Sequence, residues 1–109
     1  MKINFTQKIK AFDGREIAVT SDGTETATLG WVVIEALMHA PDAGGGARLS
    51  GNDIIGRHKL AARIHGASEP IEVTVEDAAL IKRLIPERWQ VPAIAAPALL
   101  AMDDQVDAR

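Results

Sequence analysis

Residues 28–40, TLGWVVIEALMHA, decide the fold, because their apolar side chains recur at helical spacing. Thr28 is placed to cap the first turn, since its hydroxyl can accept an unpaired backbone N–H. One face carries Leu29, Val32, Val33, Ala36, Leu37 and Ala40. Ile34 and Met38 widen that face, so the pattern predicts a central helix that Pro41 stops.

The residues before this helix alternate with a period of two, which is typical of half-buried strands. The apolar face of this alternation contains Ile3, Phe5, Ile9, Ile17 and Val19. A three-residue loop at 12–14 sets Ile9 opposite Ile17 and gives Gly14 the left-handed position of a bulge. A two-residue turn would instead put Lys10 on the apolar face, so we predict a hairpin with the longer loop.

A glycine-rich segment separates the central helix from the next one. Residues 41–51, PDAGGGARLSG, are predicted to form a flexible loop. No strand precedes these glycines and no GK[ST] motif follows, so they do not indicate a phosphate-binding loop. The next helix begins near Asn52 or Asp53 and ends at Gly66, since glycine is common just beyond a helix end.

A third helix follows an extended segment at 71–75. Thr74 and Asp77 have the spacing of a capping box, in which each residue satisfies a backbone N–H of the other. The helix is predicted from Val75 to about Ile85 and should break at Pro86.

Residues 88–104, RWQVPAIAAPALLAMDD, predict a fourth helix. Pro92 suits the first helical position, whereas Pro97 lies deeper and should kink or restart the helix. The uncharged run from Val91 to Met102 is shorter than the roughly 20 residues of a membrane span, so we expect no membrane partner. The segment therefore docks either on the protein's own core or on a partner, and both alternatives stay open at this point.

These elements place the chain in the α+β class, as an N-terminal β-hairpin packed on a small bundle of three to four helices. Its 109 residues suit a single domain spanning 1–109. Residues 103–109 contain three aspartates and are a candidate for an acidic, disordered tail. The N-terminus lacks the apolar region of a secretory signal and the chain lacks cysteine, so we expect a cytoplasmic protein.

No catalytic or metal site is apparent in the sequence. His58 and His65 are two helical turns apart, roughly 10 Å, which is too far to share one metal ion without other ligands. His39 sits near the end of the first helix, and the serines lack the motif of a nucleophile elbow. We therefore expect a protein that is not an enzyme and that needs no cofactor.

Basic residues cluster in the middle of a chain whose formal net charge is −3. The group consists of Arg48, Arg57, Lys59 and Arg63. At about 100° per residue, positions 57, 59 and 63 do not all fall on one stripe of a helix. No nucleic-acid-binding motif is present either, so we do not expect nucleic acid as a partner.

Five large side chains are candidate partner-binding residues: Trp31, Trp89, Ile94, Leu99 and Met102. Tryptophan often anchors protein interfaces, and Trp89 stands just before the last helix. A domain of this size has limited surface with which to cover that helix. We therefore expect homo-oligomerisation or docking onto another protein, with burial in the core as the competing interpretation.

Four segments together resemble a set of small uncharacterised proteins from tailed phages and prophages. They are FDGREI at 12–17, TLGWVVIEALMHA at 28–40, KLAARIH at 59–65 and IEVTVEDAALIKRLI at 71–85. The corresponding segments of that group resemble LDGKPI, TLGDVALNALL, LALKIH and VELTVEEIALIKELI. The likeness covers positions 3 to 86 and departs at Trp31, where an acidic residue often follows TLG.

This resemblance implies a phage or prophage accessory protein that acts by protein–protein interaction, with a role in head or tail assembly during virion morphogenesis. Its partner would be a phage structural or assembly protein, or a second copy of the chain, in the host cytoplasm or in the virion. The group supplies no catalytic residues to transfer. The alternative is a small phage regulator or anti-defence factor that binds a host protein or nucleic acid.

Overall fold

The computed structural model describes residues 2–18, 25–39 and 50–107. The described elements are β1 (Lys2–Ile3), α1 (Leu29–Met38), α2 (Gly51–His65), β2 (Ile71–Glu72), α3 (Val75–Arg88) and α4 (Pro92–Asp107). This arrangement confirms the α+β class, with an N-terminal hairpin and four helices. The expectations for Val19, Ala40, Pro41 and nearly all of the loop 41–51 fall outside the described residues.

α1 is the central helix, as its sequence predicts. The Thr28 hydroxyl caps it by accepting the backbone N–H of Trp31 at 3.1 Å. The buried residues of its predicted face are Leu29, Val32, Val33, Ala36 and Leu37. The Gly30 N–H donates to the Phe5 carbonyl at 2.8 Å, which ties the N-terminal segment directly onto the helix.

The N-terminal hairpin has the predicted register. Lys10 pairs with Glu16 across the turn, which sets Ile9 opposite Ile17. Gly14 has a φ of 85°, in the left-handed region that the bulge requires. The three-residue loop is therefore confirmed, and with it the face on which the hairpin carries its apolar side chains.

A third extended segment closes this hairpin into a ring of backbone hydrogen bonds. The Ile9 N–H donates to the Ala27 carbonyl at 2.9 Å, and the Ala27 N–H donates to the Ile17 carbonyl at 2.7 Å. The Ile17 N–H completes the ring on the Ile9 carbonyl at 3.4 Å. Alternation did not predict this closure, because a period of two does not specify which segments pair.

β1 pairs with β2, the extended segment before α3, and not with an arm of the hairpin. The antiparallel register places Lys2 opposite Glu72 and Ile3 opposite Ile71. The Arg63 guanidinium donates a hydrogen bond to the Glu72 carbonyl, and this bond links α2 to β2. Ile3 is fully buried, so it lies on the apolar face that the sequence predicts, and its pairing with Ile71 is a feature that the alternation of residues does not predict.

α2 begins one residue earlier than predicted, at Gly51. Ser50 and Asp53 form a capping box, with the Ser50 hydroxyl accepting the Asp53 N–H at 3.1 Å. The helix ends at the predicted residue, Gly66, but this glycine has a φ of −81° and so is not left-handed. The end is made instead by its N–H, which donates to the Ala62 carbonyl at 3.1 Å.

α3 starts with the predicted capping box of Thr74 and Asp77. It does not break at Pro86, however, and the predicted end at Ile85 is wrong. Pro86 lies in the last turn, where its missing N–H removes one backbone bond and leaves the earlier turns intact. The turn is held from outside the helix, because Arg88 and the following Trp89 both contact α1.

α4 begins at Pro92, as predicted, and includes Pro97. It continues through Asp107, so the helix includes the first part of the acidic tail, and residues 108 and 109 lie outside the described residues. Two contacts explain the extension. Asp103 lies 2.5 Å from the Lys82 ammonium, and the Gln105 side chain accepts the Asn4 N–H at 2.5 Å.

The core is one cluster to which the N-terminal segment and all four helices contribute. α1 packs against α2, α3 and α4, and α4 also contacts β1. The fully buried large side chains are Phe5, Ile3, Ile9, Leu29, Ile81, Ile85, Met102, Val32 and Val33.

Candidate protein-interaction surface

Two of the predicted partner-binding residues lie in contact with each other. Trp31 is in the first turn of α1, and Trp89 immediately follows α3. Their ring centroids are 5.1 Å apart and their planes are inclined by 42°. Both side chains are half-buried, so each presents part of an aromatic ring to solvent. A tilted pair of this kind contributes about 0.5–1.5 kcal/mol beyond the burial of its area.

Polar groups hold Trp89 in this orientation. Its Nε1–H donates to the Val32 carbonyl at 3.1 Å, so the polar end of the indole is satisfied inside the protein. The Arg88 guanidinium lies 4.4 Å from the ring centroid, within range of a cation–π interaction. Arg88 Nη2 is also 3.7 Å from Glu35 Oε2. We call Trp31, Glu35, Arg88 and Trp89 the tryptophan cluster.

The other predicted partner-binding residues divide along α4. Ile94 and Leu99 are half-buried and pack against the core cluster. Met102 is fully buried, and it belongs to the core and not to an accessible surface. It lies one turn after the buried Ala98, on the side of α4 that faces the rest of the molecule.

The opposite side of α4 faces solvent and is apolar along its first part. Leu100 is 63% exposed, and Val91, just before the helix, is 51% exposed. Ala93 and Ala96 are exposed on the same side, two turns and one turn before Leu100 respectively. The sequence has no ionisable residue from Gln90 to Met102. We call Val91, Ala93, Ala96 and Leu100 the outer α4 face. The last helix is therefore compatible with both interpretations of its sequence. One side packs in the protein's own core, and the other side is exposed and accessible to a partner.

The described basic residues of the middle segment do not form one exposed patch. Arg57 is 8% exposed and lies on the inward side of α2, facing the core with Leu60. Lys59 and Arg63 share another side of the helix, but the Arg63 guanidinium binds the Glu72 carbonyl. Arg48 lies outside the described residues. A phosphate backbone would therefore meet few of these charges together.

The three histidines, His39, His58 and His65, are all exposed. Within residues 2–18, 25–39 and 50–107, no group of three His, Asp or Glu side chains is close enough to hold a metal ion. The Ser50 hydroxyl accepts a backbone N–H in the cap of α2. In the same part of the chain, no helix is both long and apolar enough to cross a bilayer.

No family model matches the chain, and no curated protein or solved structure is significantly similar to it. The phage resemblance therefore stays an expectation that rests on the four segments quoted above.

Sequence reasoning missed four contributors to this surface: Glu35, Arg88, Val91 and Leu100. Leu100 had a signal, because it lies about 160° around the helix from Met102. No sequence signal indicates that Glu35 and Arg88 interact, since only the packing of α3 on α1 brings the two side chains together. Phe12 belongs to the predicted turn, and its side chain is 100% exposed at the tip of the hairpin.

Proposed function

We propose that this protein is an accessory factor of phage or prophage particle assembly, of the head or the tail, and that it acts by protein–protein interaction. The observation that supports this proposal is the tryptophan cluster, a pair of half-buried indoles held in contact at the protein surface. The phage resemblance of the sequence supplies the biological setting, and the cluster supplies the means of binding.

The cluster suits a binding site because its side chains are already ordered. Trp89 is held by a hydrogen bond to the Val32 carbonyl and by Arg88. A partner that covers the two rings would therefore lose little side-chain entropy in the protein. Buried tryptophan and arginine side chains contribute most to binding energy in measured interfaces. The partner would be a phage structural or assembly protein that offers an apolar surface to these rings.

The test uses Trp31→Glu, a change that removes one ring and keeps the helix start. Residue 31 is three positions after the Thr28 cap, so a glutamate there can complete a capping box. We expect wild-type protein to cross-link to an identified virion protein in infected cells and to be present in purified particles. Trp31→Glu should lose both while its far-ultraviolet circular dichroism remains that of the wild type.

The matched control is Phe12→Ser, which removes an exposed aromatic ring far from any buried contact. This variant should keep the cross-link and stay in the particles. A folded Trp31→Glu protein that still binds the virion protein would contradict the role of the cluster. Capture of a host enzyme in place of a virion protein would contradict the assembly role and favour a regulatory one.

A further inference from the structure

We propose that Arg57 is a docking site for a carboxylate that another protein supplies, an aspartate or glutamate side chain set among apolar residues. The exposed side chains of Met38 and Ile54 form the apolar rim of this site. The inference goes beyond the proposed function, because the site lies between α1 and α2, whereas the tryptophan cluster lies between α1 and the end of α3.

The packing of α2 on α1 places Arg57 beside the end of α1. α2 packs against α1 with one stripe of buried residues, Arg57, Leu60, Ala61 and Ile64. A Cβ on Gly30 would lie 3.3 Å from Ile64 Cγ2, so this stripe ends at the start of α1. Earlier residues of the stripe can lie along α1 only toward Met38, and the two helices are therefore antiparallel. Arg57 lies about 10 Å before Ile64 along α2, level with the last turn of α1.

The first support for the proposal is that Arg57 is buried without an ion pair. Only 8% of the residue is exposed, and it is the one charged residue among the buried residues that the structure describes. No described residue accepts a hydrogen bond from its guanidinium or forms a salt bridge with it. A buried charge is costly unless an opposite charge and hydrogen bonds compensate it. A carboxylate from another molecule would provide that compensation.

The acidic residues of the two helices that meet at Arg57 are engaged elsewhere. α2 contains one, Asp53, whose Oδ2 accepts the Ser50 N–H at 3.3 Å in the capping box. α1 also contains one, Glu35, whose Oε2 lies 3.7 Å from Arg88 Nη2. Asp53 stands four residues before Arg57, a spacing at which helical pairs form, yet its carboxylate serves the cap. Neither helix therefore neutralises the guanidinium.

The end of α1 does not replace this partner. Its terminal carbonyls give it a partial negative charge, which favours a cation nearby. That attraction is weaker than the cost of taking a guanidinium out of water. Within the described chain, no α1 carbonyl accepts a hydrogen bond from Arg57. A carboxylate matches the guanidinium better, because its two oxygens can accept two parallel hydrogen bonds.

The guanidinium of Arg57 is within reach of another protein. Among the described residues, no side-chain nitrogen that is closed off from solvent lacks a hydrogen-bond partner. The unpaired nitrogens of Arg57 therefore keep some contact with solvent. Helical side chains lean toward the N-terminus of their helix, which here is the direction of Ile54. Ile54 is 55% exposed, and Met38, in the last turn of α1, is 50% exposed. An arginine with an apolar rim has the composition of the residues that dominate measured interfaces.

A single positive charge selects a carboxylate over a phosphate group. Lys59 and Arg63 lie on another side of α2, and the Arg63 guanidinium already donates to the Glu72 carbonyl. One cation balances the single charge of a carboxylate but not the nearly double charge of a phosphate monoester. The chain's formal net charge of −3 adds to this preference.

The first test measures what Arg57 contributes to the fold. Arg57→Met keeps an apolar stem and removes the charge. We expect its urea midpoint to equal or exceed that of the wild type, because no ion pair is lost. Arg63→Met is the matched control, since it removes the hydrogen bond to the Glu72 carbonyl and should lower the midpoint. A lowered midpoint for Arg57→Met would overturn the proposal, because the guanidinium would then be paired within the fold.

The second test offers the carboxylate to the full chain. The probe is a capped pentapeptide with a glutamate between two leucines, and the signal is the Arg57 Nε–H resonance, assigned by its absence in Arg57→Met. We expect saturable shifts with a dissociation constant of roughly 0.1–1 mM, the affinity of a small contact. The same peptide with glutamine should bind at least about tenfold more weakly, since an amide leaves the charge uncompensated. The Arg63 Nε–H resonance should not move.

Two results of this titration would contradict the site: an Arg57 resonance that does not shift up to about 5 mM peptide, and equal affinity for the glutamate and glutamine peptides. Inorganic phosphate at the same ionic strength is the third probe. Phosphate that binds at least about tenfold more tightly than the glutamate peptide would overturn the choice of a carboxylate. None of these measurements uses a virion protein or Trp31→Glu, so this proposal and the assembly role can fail separately.

Discussion

At the scale of single residues, two helical glycines differ in how much space surrounds them. A Cβ on Gly30 would lie 3.0 Å from the Phe5 carbonyl oxygen and 3.3 Å from Ile64 Cγ2. A Cβ on Gly56 would meet nothing within 4 Å. Gly30 is therefore required for the close approach of the N-terminal segment to α1. Gly56 is an exposed position of α2 that carries only the entropic cost of glycine.

We predict that Gly56→Ala raises the free energy of unfolding by about 0.5–1 kcal/mol, the difference in helix propensity. Gly30→Ala should lower it, because a clash in a packed core costs about 1–3 kcal/mol and exceeds the same propensity gain. Urea unfolding followed by circular dichroism measures both. A destabilised Gly56→Ala protein would show that α2 needs a close neighbour at this position.

At the scale of elements, α4 has two sides with different roles. Ala95, Ala98 and Met102 are buried against the core, whereas Leu100 faces solvent. The inward residues of α4 lie against α3, α1 and β1. The helix therefore covers the part of the core that the other elements leave exposed. Removal of the chain after Gln90 would therefore expose this core and unfold the protein.

Two substitutions on α4, one on each side of the helix, test these two roles separately. Met102→Ala should lower the free energy of unfolding by about 2–5 kcal/mol, through lost burial and a cavity. Leu100→Ala should change it by no more than about 0.5 kcal/mol, as exposed positions usually do. Chemical denaturation at a concentration that keeps the protein monomeric gives both values. Equal effects would mean that α4 is rotated from the orientation described.

The N-terminal ring supplies a second comparison at this scale. Ile9→Ala should lower the free energy of unfolding by about 2–5 kcal/mol, because Ile9 is 2% exposed in the core. Ile17→Ala should cost less, since Ile17 is only half-buried on the paired segment. Phe12→Ala should have no measurable effect at the fully exposed tip. Thermal unfolding ranks the three, and a large effect of Phe12→Ala would contradict the position of the loop.

At the scale of the whole molecule, the core is one connected cluster. The contributing elements are β1, the hairpin and the four described helices. α1 lies against the other three helices. The tryptophan cluster joins α1 to the end of α3. The contact between its two indoles therefore depends on the packing of α1 against α3, which is also part of the core. A domain of this size with one core should unfold in a single cooperative step.

We predict that tryptophan fluorescence and far-ultraviolet circular dichroism report the same urea midpoint. Both signals should fit one slope of about 1–3 kcal/mol per molar urea, as expected for a small domain. The reason is that Trp31 and Trp89 cannot separate unless α1 and α3 part. A fluorescence transition at clearly lower urea would show that the junction between α3 and α4 opens before the core does.

Features that depend on neighbours along the chain can be predicted from the residues alone. The Thr28 cap, the capping box of Thr74 and Asp77, and the Gly14 bulge all follow from local hydrogen bonds and backbone preferences. The buried face of α1 follows from the helical period. Each of these needs only residues within a few positions, and each was predicted correctly.

Features that join distant segments become visible only once the chain is folded. Pairing of β1 with β2, the third side of the hydrogen-bonded ring, and the continuation of α3 past Pro86 all depend on contacts far apart along the chain. The same is true of the candidate site. The sequence named Trp31 and Trp89, but it contained no signal for their contact or for the pairing of Arg88 with Glu35. It also placed Met102 among the partner-binding residues, because periodicity shows that a helix has an apolar side and not whether the core or solvent covers it.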